Sequence, residues 1–396
     1  MKRVLFYYDN FCGPYSKGGT EVATYRIAKA LKDTGEVEVF HAYRSGKPAE
    51  SSDPYSVAVC LSRSTVKFQK SLSEFIARHD IDIIVNMGRF FRHSLLKKSI
   101  IKSGRNVELM FMQHFAPGSE MKKSTIASGR HLLKLNPYNP LYWIRTSLYP
   151  LIKYPRKRSL KRAYGDVYDM SSKVIVLSEG YEKDYLEVAG IDVEGNKFTA
   201  IPNIFEPENK ESKDGEGKGK EKRVLILSRM DEIQKRLSLA LEIWRKIEGD
   251  ADLSEWHLDI VGSGHNMDIV KRLVRKLGLR NVTIHGWQKR EPFLEKASIL
   301  MMTSEYEGLP LSILEAQAYG VVPVAFDSFA SLKDVVTPFE TGVVVEKFGD
   351  IEEYVQKLSE LMYDESYRME LSRNGKNSSH KFSSKKIASE WLKILT

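Results

Sequence analysis

Residues 299–320 read ILMMTSEYEGLPLSILEAQAYG, and this stretch decides the fold class. Ile299 to Thr303 is a short apolar run with a polar boundary, which reads as a buried strand. Gly308, Leu309 and Pro310 form a turn, and Leu311 to Tyr319 starts a helix. Glu307 falls on the loop and Glu315 about one turn inside the helix. The free N–H groups of a helix N-terminus suit phosphate, and a nearby carboxylate can hold sugar hydroxyls. The plainer alternative is a pair of acids that complement the helix dipole.

The same grammar extends in both directions. Arg223 to Ser228, His257 to Val261, Val282 to His285, Val322 to Phe326 and Gly342 to Val345 are strand-like, and Leu237 to Ile247 is helical. The first half repeats it with Val4 to Tyr8, Val37 to Ala42, Ile81 to Asn86, Val107 to Gln113 and Val174 to Leu177, and with an amphipathic stretch from Glu21 to Leu31. Short apolar runs between helical patterns predict parallel sheets covered on both faces. A chain of 396 residues is too long for one such core. Glu206 to Lys222 contains no aliphatic or aromatic side chain and cannot bury enough surface to order itself. The expected organisation is therefore a first domain over 1–205, a polar inter-domain loop over 206–222, a second domain over 223–380 and an amphipathic terminal helix over 381–396.

Hydrophobic residues make up 42% and charged residues 29%, which excludes global disorder and fibrous classes. Cys12 and Cys60 cannot build a disulfide framework, so a reducing, cytoplasmic setting is expected. The N-terminus meets Asp9 after a short apolar run and reads as a strand, not a signal peptide. The net charge of +9 is unevenly spread: residues 1–200 carry a net +12 and residues 201–396 a net −3.

Ligands of doubly wound domains sit at the carboxyl ends of strands, and five further motifs fall there. Arg229 and Lys235 follow the first strand of the second half; one is a fork and the other a point charge for phosphate. Gly262 and Gly264 end the strand His257 to Val261, and Trp287 follows the next as either a stacking surface or plain packing. Gly18 and Gly19 precede Glu21 between the first strand and helix, with Thr20 as the expected N-cap. His114 ends the strand Val107 to Gln113. The nine histidines and two cysteines show no metal-ligand spacing, so no metal site is expected.

Met121 to Gly165 is the most basic stretch. It includes Lys122, Lys123, Arg130, Lys134, Arg145, Lys153, Arg156, Lys157 and Arg158, has no acid, and is interleaved with Tyr138, Tyr142, Trp143, Tyr149 and Tyr154. Such a composition suits an anionic membrane surface, nucleic acid, a phosphate-bearing acceptor or a solvated face. Pro137, Pro140, Pro150 and Pro155 are expected to prevent one long helix.

The segment around Glu307 and Glu315 resembles the E-x-seven-E motif of retaining, nucleotide-sugar-dependent glycosyltransferases of family four, and the resemblance extends over nearly the whole chain. It implies an α/β GT-B fold: two Rossmann-like domains with parallel sheets facing across a cleft, and a terminal helix returning to the first domain. It implies that the first domain takes the acceptor and the second the donor. Glu315 then holds the donor ribose and Glu307 the transferred sugar. Arg229 and Lys235 hold the pyrophosphate, and peptide groups of Gly308, Leu309 and Leu311 face the donor. Gly262 and Gly264 lie near the phosphates and Trp287 near the base. Gly18, Gly19 and His114 meet the donor from the first domain. Glu307, His114, Arg229 and Lys235 form the catalytic set. Arg236 stands where many relatives have glycine, and a Gly-Gly turn is missing after Phe326. The implied function is metal-independent transfer of a hexose from a UDP- or GDP-sugar to a glycan or lipid-linked acceptor in surface polysaccharide assembly. No further cofactor and no nucleic-acid partner is expected. The implied place is the cytoplasm, peripheral on the inner face of the cell membrane. Two rival readings are a basic nucleic-acid-binding protein and a nucleotide-sugar-binding protein without turnover.

Overall fold

The computed structural model describes residues 1–16, 18–46, 53–122, 125–192, 197–206 and 220–396, with Ile126, Arg145, Pro150, Leu151, Ile152 and Ser379 described by backbone alone. Most of the expected polar loop, 207–219, lies outside the described residues, as does Lys17.

Two parallel sheets form from the apolar runs. The first holds β1 (Lys2–Tyr7), β2 (Val37–Tyr43), β3 (Val57–Cys60), β4 (Ile83–Asn86), β5 (Glu108–Met112), β6 (Val174–Val176) and β7 (Phe198–Ala200), in the order β3-β2-β1-β4-β5-β6-β7. The second holds β8 (Arg223–Leu227), β9 (His257–Val261), β10 (Val282–Gly286), β11 (Ile299–Met302), β12 (Val322–Phe326) and β13 (Val343–Val345), in the order β10-β9-β8-β11-β12-β13. In each, the first strand sits centrally and the order reverses beside it, between β1 and β4 and between β8 and β11. That reversal is the topological switch point where open α/β sheets bind ligands. The edge strands β3 and β7 are not foreseen from the sequence. They are four and three residues long, and β3 is only half buried, so their apolar signal is weak.

Each sheet is covered by its own core. Leu5, Tyr7, Phe40, Phe68, Leu72 and Ile84 pack in the first. Ile226, Leu241, Trp244, Ile260, Met301 and Tyr354 pack in the second. Helix Leu237–Ile247 shows how sequence selects this packing: Leu237, Ala240, Leu241, Ile243, Trp244 and Ile247 make one buried face.

The chain divides into two compact units. The first comprises Met1–Gly118, Pro155–Phe205 and Phe382–Thr396, and the second Ser119–Tyr154 and Glu206–Lys381. The expected boundaries put all of 1–205 in the first, so Ser119–Tyr154 is the departure. It joins the second unit because Leu132 closes an apolar cluster with Ile233 and Ile269. The terminal helix Ser384–Leu395 lies in the first unit, where Trp391 packs edge-on against Phe6, the ring centroids 5.9 Å apart.

Two local expectations are corrected. Helix Gly19–Thr34 begins at a Gly18 cap, and Thr20 is buried inside its first turn, not capping it. A single helix, Pro140–Met170, runs through Pro150 and Pro155. Pro140 takes the first position, where a missing N–H costs nothing. Residues 153–159 around Pro155 are exposed. No helix among the described residues is long and apolar enough to cross a membrane.

Candidate donor site at the second sheet

The loops after β8 and β11 interlock. The short helix Glu232–Lys235, capped by Asp231, follows β8. Thr303 Oγ1 donates to the Lys235 carbonyl at 2.9 Å, and the Glu305 N–H donates to the Gln234 carbonyl at 2.8 Å. Gln234 Nε2 in turn donates to the Tyr306 carbonyl at 3.2 Å. This zipper brings Lys235 Nζ to 2.5 Å from Glu307 Oε1, with both side chains about nine-tenths buried. Gln234 Nε2 also donates to Glu307 Oε2 at 3.1 Å, while its Oε1 accepts from Arg229 Nη2 at 3.2 Å. Arg229, Lys235 and Glu307, far apart in sequence, are thus joined through Gln234, a residue the sequence reading missed although it sits beside Lys235.

Arg236 adopts a left-handed backbone, φ 50°, between the short helix and Leu237–Ile247. That conformation explains why glycine would suit the position. The cost to an L-residue is offset by a two-pronged ion pair from Arg236 Nε and Nη2 to Glu305 Oε2. A small cleft between the ends of β8 and β11 is lined by Ser228, Lys235, Thr303, Ser304 and Ser312. The buried Ser228 Oγ there has no hydrogen-bond partner.

The strand-end glycines have a steric reason. A Cβ on Gly262 (φ 140°) would stand 1.9 Å from the Ser228 carbonyl oxygen, and one on Gly264 would stand 2.6 Å from that of Met230. The Met230 N–H donates to the Ser263 carbonyl at 3.0 Å, so the two loops touch backbone to backbone. Any side chain at 262 or 264 would push Arg229 out of place.

Glu315 lies in helix Leu311–Ala318 and is ion-paired with Arg290, another residue without a sequence signal. Leu309 is buried and Gly308 half-buried beside Glu307, and the Leu311 N–H is engaged by the Leu309 carbonyl at 2.9 Å. The turn N–H expected to face a donor is therefore held within the turn. Trp287 is 77% exposed, so plain packing does not account for it. His285 Nε2 donates to Asp259 Oδ1 at 2.7 Å, and Asp259 also accepts from Arg223 Nη1 at 2.8 Å, which assigns both to the structure of the sheet.

Glu232 is fully buried. Its carboxylate takes the N–H and hydroxyl of Ser238 and meets His131 Nε2 at 2.9 Å, while its own N–H donates to Asn266 Oδ1. His131 belongs to Ser119–Tyr154, which thereby braces the helix that carries Lys235. Lys122 lies over the Tyr306 ring at 5.7 Å from the same segment.

The remaining predicted residues lie in the first unit or on the basic stretch. Gly18 has no room for a Cβ, because the Glu21 carboxylate, held by Asn10 Nδ2 at 2.9 Å, fills that space. Gly19 starts the helix in open surroundings. His114 is buried after β5, and burial pushes its pKa down to about 4 despite the nearby Asn203, so the ring is neutral. Neither ring nitrogen has a hydrogen-bond partner. Lys122, Arg130, Lys134, Trp143, Lys153, Arg156, Lys157 and Arg158 are all exposed; Lys123 and the Arg145 side chain lie outside the described residues. Tyr138, Leu141, Ile144 and Tyr154 are exposed among them. By contact, the stretch up to Tyr154 belongs with the second unit.

Residues 208–378 match the family described as Glycosyl transferases group 1. That segment, under half of the chain, resembles a group 1 glycosyl transferase domain. The interlocked loops, with Arg229, Lys235, Glu307 and Glu315, all lie inside it. Over the full length of both proteins, the chain is 23% identical to an uncharacterized glycosyltransferase of Haemophilus influenzae, across 410 aligned residues. It is 26% identical over 233 residues to the amylovoran biosynthesis glycosyltransferase AmsD of Erwinia amylovora, covering 58% of this chain and 63% of that one. Among solved structures it resembles Anabaena HepE in complex with UDP-glucose, with a TM-score of 0.71 at 14% identity, covering 100% of this chain and 99% of that chain. The likeness shows the fold, which is GT-B. These relatives are glycosyltransferases, among them ones of polysaccharide and related surface-polymer synthesis.

Proposed function

We propose that the protein is a retaining glycosyltransferase that moves a sugar from a nucleoside diphosphate sugar to a glycan or lipid-linked acceptor of a surface polymer. One observation carries the reading: Arg229, Lys235 and Glu307 converge through Gln234 at the switch point of the second sheet, within the matched segment. Arg229 and Lys235 supply positive charge where the leaving diphosphate develops negative charge, and preorganised charge of this kind lowers the barrier to such a transfer more than any other single effect. The unpartnered Ser228 hydroxyl offers a further donor in the same cleft. Glu315, paired with a half-exposed arginine, exchanges that partner for the ribose hydroxyls. Exposed Trp287 stacks on the base, and HepE's complex with UDP-glucose supports a uridine donor. Glu307 is held by Lys235 and Gln234 and faces the transferred sugar, so front-side attack by the acceptor, aided by the leaving phosphate, fits better than a covalent step. His114, being neutral, serves as a hydrogen-bonding group. The two cations make the reaction metal-independent.

The exposed basic and aromatic stretch is proposed to lie on an anionic membrane, where a lipid-linked acceptor resides. The test is nucleotide release from a panel of UDP- and GDP-sugars by purified protein, with and without chelator. Release from none overturns the transferase reading, and loss on chelation overturns metal independence. Flotation with anionic liposomes at low salt checks the membrane reading, and no binding discards it.

A further inference from the structure

A second charged cluster occupies the carboxyl ends of β1, β2 and β4 in the first unit, and the donor chemistry does not use it. Three arginines surround Asp9, the residue after β1 and Tyr8. Arg44 Nη1 is 3.9 Å from Asp9 Oδ1, Arg89 Nε 3.5 Å from Oδ2 and Arg92 Nε 3.7 Å from Oδ1. These are ion-pair separations, longer than charge-assisted hydrogen bonds. The Asp9 carboxylate accepts its short bond from elsewhere, from the Tyr7 hydroxyl at 2.7 Å. The buried Arg89 Nε has no hydrogen-bond partner.

The cluster is held open. Arg44 Nη2 is anchored to the Arg63 carbonyl at 2.7 Å, and the Arg89 guanidinium lies over the Tyr8 ring at 4.5 Å. Arg89 itself is fixed by Asn86, whose Oδ1 accepts from the Arg89 N–H at 3.0 Å. Among the described residues, Asp9 is the only acid within ion-pair range of the three guanidinium groups.

As a purely structural device the arrangement is unfavourable. Three cations share one carboxylate and leave a positive surplus. Arg89 caps helix Phe90–Ser103 and Arg92 sits in its first turn, which holds no acid. The positive end of the helix dipole faces them, where acids are normally preferred. The cluster also stands at the β1/β4 switch point, where this fold binds ligands. A dianion would relieve every one of these conflicts.

We propose that Arg44, Arg89 and Arg92 bind a phosphoryl group of the acceptor, a phosphate ester or diphosphate, with Asp9 holding the forks apart until it arrives. Naming the ligand as acceptor rests on the transferase reading; the anion site itself does not. Guanidinium forks match phosphate oxygens in pairs.

The test is calorimetric titration of the full chain with inorganic phosphate, with UDP saturating so that the donor site is occupied. Wild type is expected to bind phosphate under UDP. Arg92→Gln should weaken that binding about 10–100-fold, the worth of a hydrogen-bonded charge. Arg92→Lys, which keeps the charge but not the fork, should fall between. Asp9→Asn should tighten phosphate, because it removes the competing carboxylate; a merely structural cluster predicts no such gain. Retained UDP binding by each variant shows that it is folded. Phosphate affinity unchanged in Arg92→Gln and Asp9→Asn, or no phosphate binding by wild type, overturns the site. Failure of wild type to bind UDP instead overturns the donor reading and leaves the phosphate result standing. Competition by glycerol phosphate marks a soluble ester and competition by phosphatidate vesicles a lipid-borne one; either supports the acceptor assignment, and competition by neither overturns it.

Discussion

The carboxyl ends of the two sheets share one topology and handle charge in opposite ways. At β8 and β11 each cation meets a protein partner at close range: Lys235 with Glu307, Arg236 with Glu305 and Arg229 with Gln234. At β1 and β4 three arginines crowd one aspartate at 3.5–3.9 Å. The first arrangement is pre-organised, with two of its three cations neutralised by acids and the third held by an amide. The second keeps unspent attraction and suits capture. The contrast continues in the histidines. In the first unit His41, His93 and His114 are buried and neutral, with pKa values pushed down to about 4, 3 and 4 by burial. In the second unit His131 and His285 stand beside acids, 2.9 Å from Glu232 and 2.7 Å from Asp259, and only His257 has its pKa lowered by burial among the described residues.

The contrast is broken most directly at Lys235. Lys235→Ala should lower turnover about 100–1,000-fold, as loss of a preorganised electrostatic donor does. Steady-state nucleotide release checks it, and unchanged turnover would remove Lys235 from the phosphate role. Bracing of the second site is tested next. His131→Ala leaves the buried Glu232 with Ser238 alone and should cost about 2 kcal/mol, the penalty of a buried group losing a partner. A lower Tm with a matching fall in turnover is expected; an unchanged Tm would detach Ser119–Tyr154 from the site.

Acid should separate the two units. A histidine whose folded pKa is depressed stays neutral in the fold while the unfolded chain takes a proton below about 6.5. The unfolded state then binds more protons, so stability falls as pH drops from about 6.5 towards about 4 and levels off below the folded pKa. Each such group adds about 1.4 kcal/mol per pH unit to the slope. Hydrogen exchange at pH 5 should therefore quicken in β1 and β5 before β8 and β11; equal quickening would refute the asymmetry. The smallest effect is expected at Arg236→Gly, where relief of left-handed strain and loss of the Glu305 pair nearly cancel, within about 1 kcal/mol. A denaturant midpoint that shifts by more would mean that the pair outweighs the backbone.

Much of this was legible from residue order because the information is local. His257–Val261, Val322–Phe326 and Leu237–Ile247 lie where their apolar patterns place them. Arg229 and Glu307 stand out as candidates because each follows a strand end by a few residues, and Lys235 and Glu315 because they lie on the helices just beyond. What escaped is long-range. His131 meets Glu232 across 101 positions, and Arg290 reaches Glu315 across 25. Asp9 and the arginines around it come from three separate strand ends, so no window of sequence shows them together. The helix through Pro150 and Pro155 escaped for another reason: a local rule against interior proline is outweighed there, and the helix continues through both.

The passage of the chain between its units also bears on heredity. It crosses after Gly118, Tyr154, Phe205 and Lys381. A recombination event that exchanged everything before residue 206 would bring in a foreign 119–154 and leave Glu232 facing an unrelated side chain in place of His131. Halves of this protein are therefore not interchangeable parts. A graft that replaces the first unit and preserves the second has to leave 119–154 with the second unit, as an inherited piece embedded in the half being replaced.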